Sequence, residues 1–150
     1  YFYWEYFHDA NEEGSRLLKS HAAAIRSSPD FGNETTFYDP SGLQEALELQ
    51  ALGVSCTPAD NDVLLGIGDV RQLLQRDPRT GRPKMYILDN CEELISEFET
   101  YSHPMNSEGF PDRDAIIKSR DHSIDCARYI ARSSRVQYAS YSMRRAVGLN

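Results

Sequence analysis

Long apolar runs are missing from this 150-residue chain: no stretch approaches the roughly 18 residues a membrane helix needs, and no secretory leader pattern opens it. A membrane partner and secretion are therefore not expected. Cysteine is scarce, with Cys56, Cys91 and Cys126 odd in number and spaced unlike a zinc site. That reads against a disulfide framework and for reduced thiols in a cytosolic compartment. Basic residues are outnumbered 16 to 23, and the net charge of −7 argues against a generic nucleic-acid binder. Internal repeats and low-complexity tracts are also lacking. What is present is ordinary globular composition, 40% hydrophobic and 26% charged, at a length that supports one domain with a real core.

The charge is unevenly spread. Residues 1–112 carry 8 Lys/Arg against 20 Asp/Glu, whereas residues 113–150 carry 8 against 3. A basic end on an acidic body suits a localised contact with a polyanion; it equally suits a solvated, arginine-rich helix.

Periodicity and turn chemistry predict alternating strands and helices, hence an α/β domain. The aromatic opening Tyr1-Phe2-Tyr3-Trp4-Glu5-Tyr6-Phe7 fits a buried strand and reads as the middle of a fold rather than a natural N-terminus. Asn11 to Gly14 reads as a turn, and Arg16 to Ser27 as a helix stopped by Pro29. A strand over Thr35 to Tyr38 meets the turn Asp39-Pro40-Ser41-Gly42. Leu43 to Leu52 is amphipathic with Gly53 at its C-cap, and Val54 to Thr57 is a second short strand. Asp62 leads a helix to about Gln75, and the turn-rich segment 77–84 precedes a strand over Met85 to Leu88. Cys91 to Tyr101 is helical, 102–119 loop-like, and a last helix runs from near Asp121 to Ser134. The domain is expected over residues 1–134, with 135–150 as a tail.

Two places carry chemistry. Asp39 sits at the C-terminal end of a strand, where α/β folds gather ligands, though Asp before Pro-Ser-Gly is also ordinary turn chemistry. Asp121-His122-Ser123-Ile124-Asp125 opens the last helix, and its 121/125 and 122/125 spacings let these side chains converge on one face. Such a cluster suits a hard divalent cation. Alternatively Asp121 is an N-cap, His122 is exposed, and Asp125 pairs with Arg128 or Arg132. A strand-end Asp facing a helix-borne acidic cluster is a layout for two-metal phosphodiester hydrolysis, with ions about 3.5–4 Å apart clamping the attacking and leaving oxygens. His8, His21 and His103 lack ligand spacing and read as surface or core filler. Gly66-Ile67-Gly68 has no preceding strand and does not read as a phosphate loop.

Together with Phe37-Tyr38-Asp39-Pro40-Ser41-Gly42, Leu52-Gly53-Val54, Asp62-Val63, Gly66-Ile67, Gly81-Arg82-Pro83-Lys84-Met85-Tyr86-Ile87, Asn90-Cys91-Glu92-Glu93-Leu94-Ile95, Glu97 and Tyr101, the closing motif Asp121-His122-Ser123-Ile124-Asp125-Cys126-Ala127-Arg128-Tyr129 resembles the C-terminal nuclease domain of tailed-phage terminase large subunits. The likeness runs from about residue 1 to 132, and the closing motif is its most specific part. The resemblance implies an RNase H-like, RuvC-type mixed sheet flanked by helices. It implies two Mg²⁺ or Mn²⁺ ions, with Asp39 as the ligand ending the fourth strand and Asp125, beside Asp121 or His122, as the ligands on the last helix. The role implied is cutting concatemeric double-stranded viral DNA in the host cytoplasm during virion assembly. A portal ring, a small terminase subunit and an upstream ATPase domain on the same polypeptide are the implied partners.

One departure stands out. That family's first catalytic Asp, in an Asp-x-Gly setting on the first strand, has no match here; nor does a Walker motor. The resemblance therefore implies a domain lacking its first strand or hairpin, with an incomplete metal site and feeble or no activity. Arg82, Lys84, Lys118 and Arg120 are candidate phosphate contacts of the sequence-neutral, salt-dependent kind, or plain solvated cations. The alternative to an endonuclease is a non-catalytic DNA-binding or portal-docking module with a degenerate acidic site. A junction resolvase on the same fold is a third reading, without support from the intervening segments.

Overall fold

The computed structural model describes residues 1–33, 35–101 and 121–146, with the backbone alone for 136–146. Helices α1 (Ala10–Glu13) and α2 (Leu18–Arg26) precede strand β1 (Thr36–Tyr38), which leads through a 3₁₀ turn (Pro40–Gly42) into α3 (Leu43–Ala51). Strand β2 (Cys56–Pro58) follows, then α4 (Val63–Leu74), α5 (Glu92–Thr100) and α6 (His122–Ala146).

Strands β1 and β2 pair in parallel, Thr36 with Cys56, Phe37 with Thr57 and Tyr38 with Pro58. A parallel pair needs a crossover, and α3 supplies it. The crossover ends sharply because Gly53 takes a left-handed φ of 86°, letting the Val54 N–H return 2.9 Å to the Leu49 carbonyl. Val54 is thereby driven fully into the interior.

Two expected strands do not form. Tyr1–Phe7 and Met85–Leu88 meet in a single parallel bridge, Phe2 to Ile87, closed by Phe2 N–H to the Tyr86 carbonyl (2.8 Å) and Leu88 N–H to the Phe2 carbonyl (2.9 Å). The aromatic segment is half-buried, not a core strand, and Tyr1 is exposed while stacking on Tyr86 at 5.1 Å. Its polar groups are spent on a helix end instead. The Glu5 carboxylate accepts the N–H groups of Glu93 (3.0 Å) and Leu94 (2.9 Å) at the start of α5, and Asn90 Nδ2 donates to the Tyr3 carbonyl (2.8 Å). The expected mixed sheet is thus reduced, among the described residues, to one parallel pair and one bridge.

Two further differences concern helices. Asn11–Gly14 is not a bare turn: Asp9 caps the one-turn helix α1 by accepting from the Asn11 N–H at 2.8 Å. Helix α6 passes the expected end at Ser134 and continues to Ala146, since the first glycine or proline after Asp121 is Gly148 and nothing earlier breaks the helix.

The core gathers Val70 from α4, Met85, Cys91, Leu94 from α5, and Ile124 and Ala127 from α6, with Phe2, Ile87, Phe98 and Tyr101 packed against it. Helices α4 and α6 approach closely at Gly66, where an added Cβ would lie 3.2 Å from the Arg128 Cβ. Farther along, buried Asp69 of α4 accepts from both Arg132 and Arg135 of α6. Arg132 also reaches Asp60 Oδ2 at 3.0 Å, and the Asp60 N–H donates to Ser133 Oγ at 3.0 Å. This polar seam fixes α6 against α4 and against the loop leaving β2, and so sets what α6 presents to the end of β1.

Candidate functional site

Asp39 leaves β1 in extended conformation and caps the 3₁₀ turn. Its Oδ1 accepts the Ser41 N–H (2.9 Å) and the Ser41 hydroxyl (2.8 Å), and its Oδ2 accepts the Tyr129 phenol at 2.5 Å. These donors favour the charged form. The Tyr129 bond foremost, then the two from Ser41, hold the Asp39 carboxyl below the usual range, with the Arg128 charge adding a smaller pull. Tyr129 responds in the opposite sense: burial, then its bond to Asp39, pushes the phenol far above its ordinary value. It is a committed donor.

One turn back along α6, Asp125 faces Arg128. The guanidinium grips a single carboxylate oxygen, Oδ1, through Nε (3.1 Å) and Nη2 (2.5 Å). Arg128 is 2% exposed, its guanidinium lies 5.5 Å from the Tyr129 ring, and its Nη1 is buried without a hydrogen-bond partner among the described residues. Both Asp125 and Asp39 act electrostatically on the Tyr129 phenol. The strand-end acid and the helix acid therefore share one neighbourhood, bridged by Tyr129 and Arg128.

Asp121 and His122 sit at the head of α6, beside a different acid. Glu97 of α5 is buried and its Oε2 accepts the Ile124 N–H at 2.9 Å. Burial pushes its carboxyl up, against the pull of the Ile124 and Ser123 N–H groups and of His122, while Asp121 pushes it further up. Asp121 occupies the cap position by backbone, its carbonyl accepting the Asp125 N–H at 2.8 Å; His122 is exposed.

Asp39 and Asp125 offer hard oxygen donors of the kind Mg²⁺ and Mn²⁺ prefer, so they fit such an ion in chemistry. They do not fit in number: among the described residues, no group of three or more His, Cys, Asp or Glu is gathered to hold a metal. Arg82 and Lys84 are placed on the turn that closes against α4, where the Lys84 N–H donates to the Leu73 carbonyl at 2.9 Å, and both are exposed. Lys118 and Arg120 lie outside the described residues, as does His103.

Of the two partners the sequence offers Asp125, Arg128 makes the ion pair, and Arg132 turns to Asp60 and Asp69 instead. Tyr129 has no role assigned by the sequence; it stands four residues after Asp125, a spacing that puts it on the same helical face. Glu5 and Glu97 act at helix ends far from them in sequence, and no local pattern marks them. His8 and His21 are not scattered: their rings lie 5.2 Å apart, and Tyr6 Oη is 2.9 Å from His21 Nδ1.

No protein-family model matches the chain, and no curated protein matches it. Solved structures do. The large terminase of a thermophilic bacteriophage, in complex with ADP, superposes with a TM-score of 0.65 at 24% identity, over 84% of this chain and 31% of that one. Its complex with ATP-gamma-S gives 0.67 at 22%, over 85% and 32%, and a further crystal structure of that terminase gives 0.65 at 25%, over 84% and 31%. The chain has the α/β fold of part of a phage large terminase, and spans about a third of the length of the chains it matches. Among the described residues no helix is long and apolar enough to cross a membrane.

Proposed function

We propose that this chain is the metal-dependent nuclease portion of a phage DNA-packaging terminase, of RNase H-like type, which hydrolyses phosphodiester bonds in concatemeric double-stranded DNA. The observation that carries the reading is the link of both acids to adjacent residues of α6, Tyr129 donating to Asp39 and Arg128 gripping Asp125. The likeness to large terminases supports it. Gly66 and Gly68 lie within α4 itself and not in the loop that joins β2 to it, so they do not form a phosphate-binding loop ahead of the helix.

Asp39 and Asp125 are the ligands in this reading, with Asp121 or His122 as the further contact on α6. When bound, Mg²⁺ or Mn²⁺ would lower the pKa of the attacking water and stabilise the charge that develops on the leaving oxygen. Ser41 and Tyr129 keep Asp39 ionised and oriented for that task. Arg82, Lys84, Lys118 and Arg120 are the proposed phosphate contacts. A portal protein, a small terminase subunit and an ATPase domain upstream on the same polypeptide are the proposed partners, and the host cytoplasm during virion assembly the setting.

Plasmid nicking in Mn²⁺ tests the reading. Asp39→Asn and Asp125→Asn should each lower the rate by about 100-fold or more with the fold retained by circular dichroism. Unchanged cutting in both would end the nuclease assignment. One observation favours a second reading, a non-catalytic DNA-binding or portal-docking module: both acids already have internal partners, and among the described residues no third ligand stands beside them. DNA retention that ignores both substitutions and needs no divalent ion would support it.

A further inference from the structure

Lysine and arginine are bunched in one stretch of this acidic chain. Of the 8 in residues 1–112, five fall within residues 71–84 (Arg71, Arg76, Arg79, Arg82 and Lys84), against a single acid, Asp77. All five are exposed. The loop that carries the last four is closed on itself. The Asp77 N–H donates to the Arg82 carbonyl at 3.0 Å, and the Gly81 N–H to the Asp77 carbonyl at 2.7 Å. The N–H groups of Lys84 and Met85 then reach the Leu73 carbonyl at 2.9 and 3.0 Å, which folds the loop back onto the last turn of α4. The one acid is turned to the loop's own backbone, its Oδ1 accepting the N–H groups of Arg79 (2.7 Å) and Thr80 (3.2 Å). Among the described residues, Arg76, Arg79, Arg82 and Lys84 make no ion pair.

The fold itself does not call for these charges. Arg71, in the last turn of α4, already meets the negative end of the helix dipole, and four further cations in one short loop repel one another. A protein partner would seek apolar anchors, whereas Leu74 is the one large apolar side chain exposed in this stretch. Cations spread along a loop suit a run of phosphates better than a single small anion. The loop also stands apart from the acids. Gly66 packs on Arg128, Asp69 accepts from Arg132, and Gln72 accepts from Arg135, so α4 and α6 run side by side in the same direction. Asp125 and Arg135 are roughly 15 Å apart along α6, and the loop hangs from the end of α4 nearer Arg135.

We propose that the loop of Arg76, Arg79, Arg82 and Lys84 is a holding surface for the phosphate backbone of duplex DNA, separate from Asp39 and Asp125 and independent of any divalent cation. The proposal rests on the nuclease reading for the identity of the partner, and on nothing at the acid pair. Contacts of this kind set where the duplex lies and carry no sequence preference.

The test is fluorescence anisotropy of a labelled duplex of about 30 base pairs against the full chain in EDTA, from about 50 to about 200 mM salt. Arg76→Gln, Arg79→Gln, Arg82→Gln and Lys84→Gln together should raise Kd by about 10-fold or more. The same variant should flatten the dependence of log K on log salt by about three to four, close to one per lost phosphate contact. Lysine at the three arginine positions keeps the charge and should leave Kd within about twofold. Should the fourfold variant fail to fold, Arg76→Gln with Arg79→Gln carries the test, with a slope flatter by about two. Polyglutamate at matched charge should compete far more weakly than unlabelled duplex; equal competition would overturn the assignment to a phosphate backbone. A parent chain that does not bind, or a parental salt slope in the folded glutamine variants, would overturn the proposal whatever the outcome of nicking. Absence of nicking with this binding intact would end the nuclease reading and leave the surface standing.

Discussion

Tyr129 and Asp39 lie 90 positions apart in the chain and 2.5 Å apart in space, the phenol donating to Oδ2 of the carboxylate. This bond joins the end of β1 to the middle of α6, and it is the largest influence holding the Asp39 carboxyl down.

Tyr129→Phe removes that donor without changing the ring. The variant should lose about 1 kcal/mol at neutral pH, the lower part of the range for bonds to charged groups because Asp39 is half-exposed. An acid with a depressed folded pKa stabilises the fold above its ordinary value and loses that contribution as pH falls through the folded value. The gap between parent and variant should therefore narrow below about pH 3.8. Urea melts across pH, with ¹³C-carboxyl titration of Asp39, check it; an Asp39 that titrates no higher in the variant would contradict the assignment.

Glu97 shows the reverse sign. Burial raises its carboxyl above the ordinary value of 4.5, so the folded state holds a proton that the unfolded chain has released, and stability climbs as pH drops from the raised value toward 4.5. Glu97→Gln keeps an oxygen for the Ile124 N–H and drops the buried charge, so its melting temperature should vary less with pH over that window. Glu97→Ala strands the N–H groups at the start of α6 and should cost about 1–3 kcal/mol. Thermal melts at pH 4.5 and pH 7 separate the three proteins.

Asp69 is buried and holds two arginines of α6 at once. Asp69→Ala would leave both without their shared partner and should lower the melting temperature by roughly 5–10 °C. Arg135 is 60% exposed, and Arg135→Ala should change it by only about 2 °C. Equal effects in calorimetry would mean that the seam is not organised around Asp69.

Cys56 and Cys91 are buried, and burial raises both thiols. Cys126 is exposed, although desolvation of its sulfur and then the Asp125 charge make the thiol a weaker acid. A thiol reagent at mildly alkaline pH should therefore titrate one cysteine in the folded protein and three in guanidinium. Two or three fast thiols in the folded state would mean that the core around Cys91 opens readily.

Where a feature is written in consecutive residues, it can be read. The helix after Asp62 follows from an apolar stripe and a side-chain cap that accepts the Leu65 N–H at 2.9 Å, and the end of α3 follows from the residue type that accepts Gly53's φ without strain. The strand leading into Asp39 and the second strand before Pro58 are legible for the same reason. The extended pairing of Tyr1–Phe7 is not, because β propensity describes a pleated surface in search of a partner, and among the described residues only Phe2 finds one. The end of α6 escapes local reading because its apolar rhythm fades well before the helix does, and no residue there stops it.

The chain by itself thus determined the order of β1, α3, β2, α4 and α5, the acids at the end of β1 and the head of α6, and the helical spacing that groups Asp125, Arg128 and Tyr129, since each of these depends on neighbours within a turn or two. Tertiary structure alone decided that Tyr129 reaches Asp39, that Glu5 and Glu97 serve as caps for helices they do not belong to, and that Gly66 makes room for a buried guanidinium. Those contacts join residues from 27 to 90 positions apart. At such separations hydrogen bonding and desolvation depend on how helices pack, which no short run of residue types encodes.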